Sequence, residues 1–235
     1  MENLKDSIRQ NIGAVRDRIA RAASRAGVGP AGITLVAVSK TFPVEAAREA
    51  VMAGVADLGE SYVQEAVDKI DSMDLPARWH FIGHLQSNKV RPVVKRFSLI
   101  QSVDSLELLQ RIDRIAAEEG KVMDVLLQVN VAGEEGKFGM PPPEAHRVLS
   151  EASALNNVRV KGLMLIPPFY NDPEMNRENF AALGRLSVEL DSRGYGNWES
   201  RYLSMGMTDD FETAILQGAN MIRVGQAVFG FRRRN

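Results

Sequence analysis

The chain has 235 residues, with 29 lysines and arginines against 30 aspartates and glutamates and a net charge of −1. That balance offers no electrostatic reason for a nucleic-acid or anionic-membrane partner, and no stretch approaches the ~20 apolar residues that span a bilayer. Cysteine is absent and there are only three histidines, which excludes disulfides, thiolate catalysis and cysteine-ligated zinc or iron–sulfur sites.

Residues 1–27 form an amphipathic stretch in which Leu4, Ile8, Ile12, Val15 and Ile19 keep helical spacing. Arg16, Arg18, Arg21 and Arg25 give it a superficial likeness to a transit peptide, but Glu2, Asp6 and Asp17 oppose that reading. A helix docked on the domain surface, in a cytoplasmic protein, is expected. Strand and helix patterns then alternate. ITLVAV (33–38) reads as a buried strand and VEAAREAVMAG as a helix closed by Gly54. ADLGE is a short strand before the helical YVQEAVDKIDSM. RWHFIG is a strand and LQSNKVRPVVKR is helix-like despite Pro92. His80 and His84 have i, i+4 spacing, but a strand, a glycine turn and a helix separate them, so no metal site is expected there.

FSLIQSV is the fourth strand, followed by the amphipathic helix SLELLQRIDRIAAEEG. VMDVLLQVNV is a long apolar strand, and PPEAHRVLSEASAL a helix with prolines at its entry, where a missing N–H costs little. VRVKGLMLI is a strand, residues 174–193 a long helix, RYLSMG a strand and turn, DDFETAILQG a helix and NMIRVG the last strand, its apolar pattern continuing as MIRVGQAVFG. Eight strand–helix units without a long linker predict a single-domain α/β fold over 1–235, a closed (β/α)8 TIM barrel with an extra N-terminal helix (1–27) packed on it. A doubly wound sheet would call for a glycine-rich loop after the first strand, and SKTFPVEA contains no glycine. The short basic run Arg232, Arg233, Arg234 reads as a solvated tail.

In such a barrel, chemistry gathers at the C-terminal ends of the strands. Taken alone, Lys40 reads as an ordinary surface lysine ending a strand. At the barrel mouth its amine instead reaches the site, where partial burial disfavours the charged form and a neutral amine can form a Schiff base with an aldehyde. Ser204, Gly206 and the backbone N–H groups around Met205 and Met207 form a polar turn before a helix, which Thr208 or Asp209 can cap; such a turn suits an anion. Gly225 permits close approach after the last strand. Arg223 sits in an apolar strand, paired with a buried carboxylate or else donating to a ring nitrogen or carboxylate in the site. Lysine, phosphate turns and arginine together outline pyridoxal 5′-phosphate.

In order from residue 35 to 230, the stretches LVAVSKTFP, LGESYVQEA, WHFIGHLQSNK, SVDS, LLQVNV, KFGM, GLMLIPP, LSMGMTDDFETAI and IRVGQAVFG together resemble the pyridoxal phosphate homeostasis protein family, relatives of the alanine racemase N-terminal barrel. The resemblance implies that Lys40 holds the cofactor as an internal aldimine. It places Ser204, Met205, Gly206, Met207, Gly225 and Gln226 around the phosphate, Arg223 at the pyridine nitrogen, and His84 and Met164 near the ring. It offers Lys137, in GEEGKFGM, as a second amine for cofactor transfer, beside the plain reading of a solvated loop lysine. Two positions depart from the family: Ser61 replaces the usual asparagine beside the cofactor, and Gln226 replaces a serine or threonine, losing a hydroxyl contact to phosphate while keeping the backbone N–H.

An arginine facing the pyridine nitrogen keeps its proton, so the ring is a weak electron sink. That suits cofactor holding or a racemase-type reaction. Racemisation needs a second base, which alanine racemases supply as a tyrosine from a further C-terminal domain of the partner subunit; the chain ends at Asn235 without one, and Tyr62, Tyr170, Tyr195 and Tyr202 have no sequence support for the role. The first expectation is a monomeric protein that binds pyridoxal 5′-phosphate and acts in its homeostasis and delivery to apoenzymes, without robust turnover. The second is a single-domain amino acid racemase of weak activity. A barrel with no ligand leaves the lysine, the arginine and the turns at the strand ends unexplained.

Overall fold

The alternating strands and helices close into a barrel in the computed structural model, which describes residues 2–231. The strands are β1 (Thr34–Val38), β2 (Asp57–Glu60), β3 (Arg78–Phe81), β4 (Leu99–Val103), β5 (Met123–Gln128), β6 (Val158–Met164), β7 (Trp198–Ser204) and β8 (Met221–Val224). All pairs are parallel and in sequence order, and β8 returns to β1 with Thr34 opposite Met221 and Ala37 opposite Val224. The helices are α1 (Glu2–Arg25), α2 (Val44–Met52), α3 (Val63–Asp71), α4 (Val90–Arg96), α5 (Leu106–Glu118), α6 (Pro142–Ala152), α7 (Arg177–Ser192), α8 (Phe211–Leu216) and α9 (Gln226–Phe229). Arg232, Arg233 and Arg234, and the side chain of Leu4, lie outside the described residues.

The expected elements form, with informative differences at their ends. Pro92 falls in the first turn of α4, which a short 3-10 turn at Ser87–Lys89 precedes, so its missing N–H takes nothing from the helix. The long helix expected from residue 174 divides: Pro173–Asn176 is a 3-10 turn, capped where Asp172 accepts from the Glu174 N–H at 3.0 Å, and α7 begins after it. The apolar stretch after Gly225 leaves the sheet and coils into α9. Phe229 is buried there against Phe42, ring centroids 5.3 Å apart, and Asn11 donates to the Val228 carbonyl at 3.0 Å. Asp210, after the expected Thr208 and Asp209, occupies the N-cap position of α8, and its side chain makes no capping hydrogen bond there.

The extra helix docks as expected. Ile8, Ile12, Val15 and Ile19 are buried at helical spacing, and α1 packs against α2, α8 and α9. Two of its arginines serve the chain itself. Arg16 donates to the Ala53 and Gly54 carbonyls, and Arg18 pairs with Glu212 and reaches the Thr208 carbonyl.

Each strand turns alternate side chains inward, where Val36, Leu99, Leu126, Met164 and Met221 make an apolar layer. Polar side chains share that interior. Gln101 on β4 approaches the Met221 sulfur on β8 at 3.2 Å and accepts from Ser204 on β7 at 2.6 Å, contacts that only the lumen of the barrel permits. At the N-terminal end, Asp57 receives a bidentate pair from Arg78 and lies 3.0 Å from His80 Nε2. Burial raises the Asp57 pKa, but hydrogen bonds from His80 and Arg78 outweigh it and bring the carboxyl to about 2. Its folded pKa therefore lies below the unfolded value of 3.8, so its stabilisation is complete above that pH and is lost as pH falls through about 2. The amount is about 2 kcal/mol. Acid denaturation of Asp57→Asn is expected to lack this component, its stability deficit against wild type shrinking between those two pH values.

Candidate functional site

The C-terminal ends of β1 and β8 and the loops beside them enclose a cavity of about 660 Å³. Lys40, Ser61, Met207, Arg223, Gly225 and Gln226 line it together, six side chains or turns drawn from β1, β2, β7 and β8. Val38, Phe42, Ile82 and Ile166 supply apolar walls, and Thr208 and Asp209 part of the rim. Val38, Phe42, Ile82 and Ile166 had no polar or glycine signal to mark them in the sequence, whereas Thr208 and Asp209 stood out there as candidate helix caps.

Lys40 is half-buried, and the chain around it is held by a group that sequence reasoning missed. Lys69 on α3 donates to the Ser39 carbonyl at 2.8 Å, to Glu60 at 2.5 Å and to Glu65 at 2.9 Å. Ser39 donates to the same Glu60 oxygen at 2.7 Å, and the Thr41 N–H donates to Glu65 at 2.6 Å. The residues on both sides of Lys40 are thus tied to one buried ion cluster. Thr41 has φ of 68°, a left-handed conformation that a β-branched residue seldom adopts. The cluster holds this strained turn in place at the foot of the candidate amine. Burial raises the Glu60 carboxyl while Lys69 lowers it, with burial prevailing. The other Glu60 oxygen is buried and has no hydrogen-bond partner.

Arg223 is buried on β8. It donates to the Ser204 hydroxyl at 2.6 Å and to the Leu165 carbonyl at 2.8 Å, and burial lowers its pKa to about 10 against the opposing charge of Asp210. Neither partner is a carboxylate, so the arginine is held by neutral acceptors and its side chain still lines the cavity.

Two turns fit an anion. The backbone N–H groups of Thr208, Gly225 and Gln226, all lining the cavity, have no acceptor among the described residues. Gly225 packs against β1 so closely that an added Cβ would lie 3.3 Å from the Val38 carbonyl oxygen. Gly206 has φ of 91°, and an added Cβ would meet the Ala214 Cβ at 2.7 Å and the Phe211 Cα at 2.8 Å. Gly206→Ala is therefore expected to cost about 3 kcal/mol, from the left-handed backbone and overpacking together, read as a lowered urea midpoint. The Met207 N–H differs from its neighbours: the buried Asp210 carboxylate accepts it at 2.7 Å and also takes Asn176 Nδ2 at 3.2 Å. Burial raises the Asp210 pKa, and these hydrogen bonds only partly offset it.

The remaining expected residues sit outside the cavity lining. Ser204 is buried beneath Arg223, as its acceptor. Met205 is fully buried, and Met164 belongs to the apolar layer inside the barrel. His84 lies 3.3 Å from Asp104 and stacks on Phe138 with ring centroids 3.8 Å apart. Lys137 pairs with Glu134 and reaches the Pro167 carbonyl at 3.4 Å, next to Ile166 of the cavity wall. Tyr62 is exposed, and neither it nor any other tyrosine lines the cavity among the described residues.

Comparison with known proteins places this geometry among relatives. The family model described as alanine racemase, N-terminal domain, matches residues 10–233. A pyridoxal phosphate homeostasis protein of Pseudomonas aeruginosa is 43% identical over 227 residues, covering 96% of each chain. That of Aquifex aeolicus is 41% identical, covering 95% of this chain and 98% of the relative. Among solved structures, PipY of Synechococcus elongatus with pyridoxal phosphate bound superposes with a TM-score of 0.83 at 36% identity, covering 95% of this chain and all (100%) of that one. An alanine racemase of Clostridium difficile shares the fold, with a TM-score of 0.76 at 17% identity, this chain spanning 61% of its length.

Proposed function

The chain belongs to the alanine racemase N-terminal domain family, and from that premise we propose that it is a pyridoxal phosphate homeostasis protein which carries the cofactor covalently on Lys40. Its cofactor is pyridoxal 5′-phosphate. The observation that carries the reading is the convergence of Lys40, Arg223 and the unpaired N–H groups of Thr208, Gly225 and Gln226 on one cavity. An aldehyde, a ring nitrogen acceptor and a phosphate each find a complementary group there.

The parts of the chain divide the work. Lys40 would hold the cofactor through its amine, the group that can bond an aldehyde covalently. Arg223 offers an N–H to the pyridine nitrogen and retains its proton, since even when lowered to about 10 its pKa stays well above neutral. The Thr208, Gly225 and Gln226 N–H groups would receive the phosphate, with Met207 beside them at the cavity wall and Gly206 giving its turn the left-handed shape. Ser61 stands at the cavity wall as a short hydroxyl, Met205 is buried within the turn, and Met164 lies in the apolar layer inside the barrel. His84 and Lys137 stand outside the cavity lining; Lys137, which reaches the Pro167 carbonyl next to Ile166, would serve as a second amine for transfer. When bound, the cofactor supplies an electrophilic carbon and a modest electron sink.

The same reading makes the protein a cytoplasmic monomer that limits free pyridoxal 5′-phosphate and delivers it to apoenzymes. No helix among the described residues is long and apolar enough to cross a membrane. Racemase activity is the second reading. It lacks support in the cavity, where no tyrosine or histidine stands to serve as the second base and Asp209 is the one acidic side chain among the described lining residues.

The test is reductive trapping. Protein mixed with pyridoxal 5′-phosphate is expected to acquire a visible absorption band that borohydride bleaches, with the added mass mapped to the peptide carrying Lys40. Label confined to Lys137 or to another lysine overturns the assignment. Alanine racemisation at ordinary enzyme rates overturns the holding role in favour of the second reading.

A further inference from the structure

The polar side chains inside the barrel form one connected path. Arg223 donates to Ser204 at 2.6 Å, Ser204 donates to Gln101 Oε1 at 2.6 Å, and Gln101 Nε2 lies 2.8 Å from His80 Nδ1. His80 Nε2 lies 3.0 Å from Asp57, which also receives Arg78. The path crosses the lumen from the cavity of the candidate site to the opposite end of the barrel, where Asp57 and Arg78 line a second cavity.

Its direction is determined link by link. A guanidinium has no acceptor, so Ser204 must accept from Arg223, and with the Gln101 carbonyl oxygen turned toward it Ser204 sends its own proton there. The Gln101 amide nitrogen then faces His80 Nδ1 as a donor, which requires that ring nitrogen to be bare. His80 consequently carries its proton on Nε2 and donates it to the Asp57 carboxylate. Each donor on the path meets an acceptor, Gln101 Nε2 facing the Met221 sulfur as well as His80 Nδ1, and the path ends on a charge of opposite sign to the arginine where it starts.

We propose that Gln101 and His80 are positioning residues for Arg223: by fixing the direction of this path they orient the Ser204 hydroxyl, and so hold the guanidinium where it can donate to the pyridine nitrogen. The proposal rests on the reading above for the role of Arg223. It explains why a strand interior that could be wholly apolar contains a glutamine and a histidine, both buried, although neither reaches the candidate cavity. A buried arginine with no carboxylate in hydrogen-bond contact is then offset by the nearby charge of Asp210 and, through hydrogen bonds, by Asp57, relayed through three neutral groups.

Three measurements decide it. On cofactor-free wild type, imidazole 15N NMR is expected to find His80 neutral, with its proton on Nε2, and Arg223 guanidinium protons exchanging slowly. Gln101→Met keeps the volume and cuts both bonds. Faster Arg223 exchange and an approximately tenfold weaker hold on pyridoxal 5′-phosphate are expected, the amount of one lost hydrogen bond. Gln101→Glu retains an acceptor for Ser204 and turns its second oxygen toward His80. His80 should then be doubly protonated, with Arg223 exchange and cofactor affinity close to wild type. A packing role predicts the reverse order, methionine tolerated and the buried carboxylate damaging. That order, or a wild-type His80 protonated on Nδ1, overturns the proposal. The tautomer is read on wild type, so it decides even where a variant does not fold. A wild type that takes up no pyridoxal 5′-phosphate sinks the functional reading instead, and leaves the tautomer and exchange results standing on their own.

Discussion

A Lys40→Met protein is expected to fold, to develop no visible band with pyridoxal 5′-phosphate, and to release the cofactor on gel filtration. Methionine keeps the apolar stem at the cavity wall and removes the amine, so the bond to the aldehyde carbon cannot form. The phosphate turns and Arg223 remain, which is why weakened rather than abolished binding is the expected outcome. A loss of about a hundredfold in affinity, roughly 3 kcal/mol, is expected by equilibrium dialysis. Borohydride should then leave the protein unlabelled. A Lys40→Met protein that keeps its colour, or that is labelled as fully as wild type, would remove Lys40 from the central role.

Lys69→Met is expected to cost 3–5 kcal/mol in stability. Lys69 and Glu60 are both buried, and Lys69 is the cation in contact with Glu60 among the described residues. Methionine fills the space of the lysine stem and leaves Glu60 with the Ser39 hydroxyl as its sole remaining donor there. The cost has a ceiling because Glu60 can take up a proton. Burial already raises its pKa, and losing Lys69 removes the largest opposing influence. A folded-state pKa above the unfolded value contributes stability below the unfolded pKa and loses it as pH rises through the folded value. The deficit of Lys69→Met should therefore shrink in mildly acidic buffer, where Glu60 is protonated in both states. Glu60→Gln in the same protein should recover most of the loss at neutral pH, the mark of coupling in a double-mutant cycle. Because Lys69 also holds the Ser39 carbonyl and Glu65 holds the Thr41 N–H, trapping at Lys40 should slow in the single variant. A pH-independent deficit, or no recovery with Glu60→Gln, would show that the cluster is not an electrostatic unit.

Most of the barrel was legible in the chain. Buried parallel strands read as apolar runs because helices cover one face and the lumen covers the other, and each helix shows its core stripe at a period of 3.6. Reading erred where a pattern did not distinguish two states. QAVF is as apolar as a strand, yet it forms α9, with Val228 and Phe229 buried and Phe229 packed against Phe42. The helix expected from Glu174 gave up its first turn to a proline and an aspartate cap whose geometry depends on the loop before it.

The site divides in the same way. Lys40, Arg223 and the glycine turns stood out because each is a residue type at odds with its immediate surroundings: a cation ending an apolar strand, a cation within one, glycines where a helix begins. Local composition carries such contrasts, and a barrel's topology alone sends strand ends to one mouth. Lys69, Glu60, Gln101 and His80 carried no such mark. Lys69 and Glu65 look like an ordinary surface pair at i, i+4, and only the packing of α3 on β2 buries the lysine and makes its charge matter. Gln101 and His80 are ordinary polar residues in strands until closure of the sheet brings β4 across the lumen to β7 and β8. Sequence by itself determined most of the elements, their order and which residue types stand at the strand ends, because those depend on neighbours along the chain. Tertiary structure decided which polar groups are buried together, because hydrogen-bond partners 21 residues apart, as His80 and Gln101 are, or 103 apart, as Gln101 and Ser204 are, become neighbours only when the barrel closes.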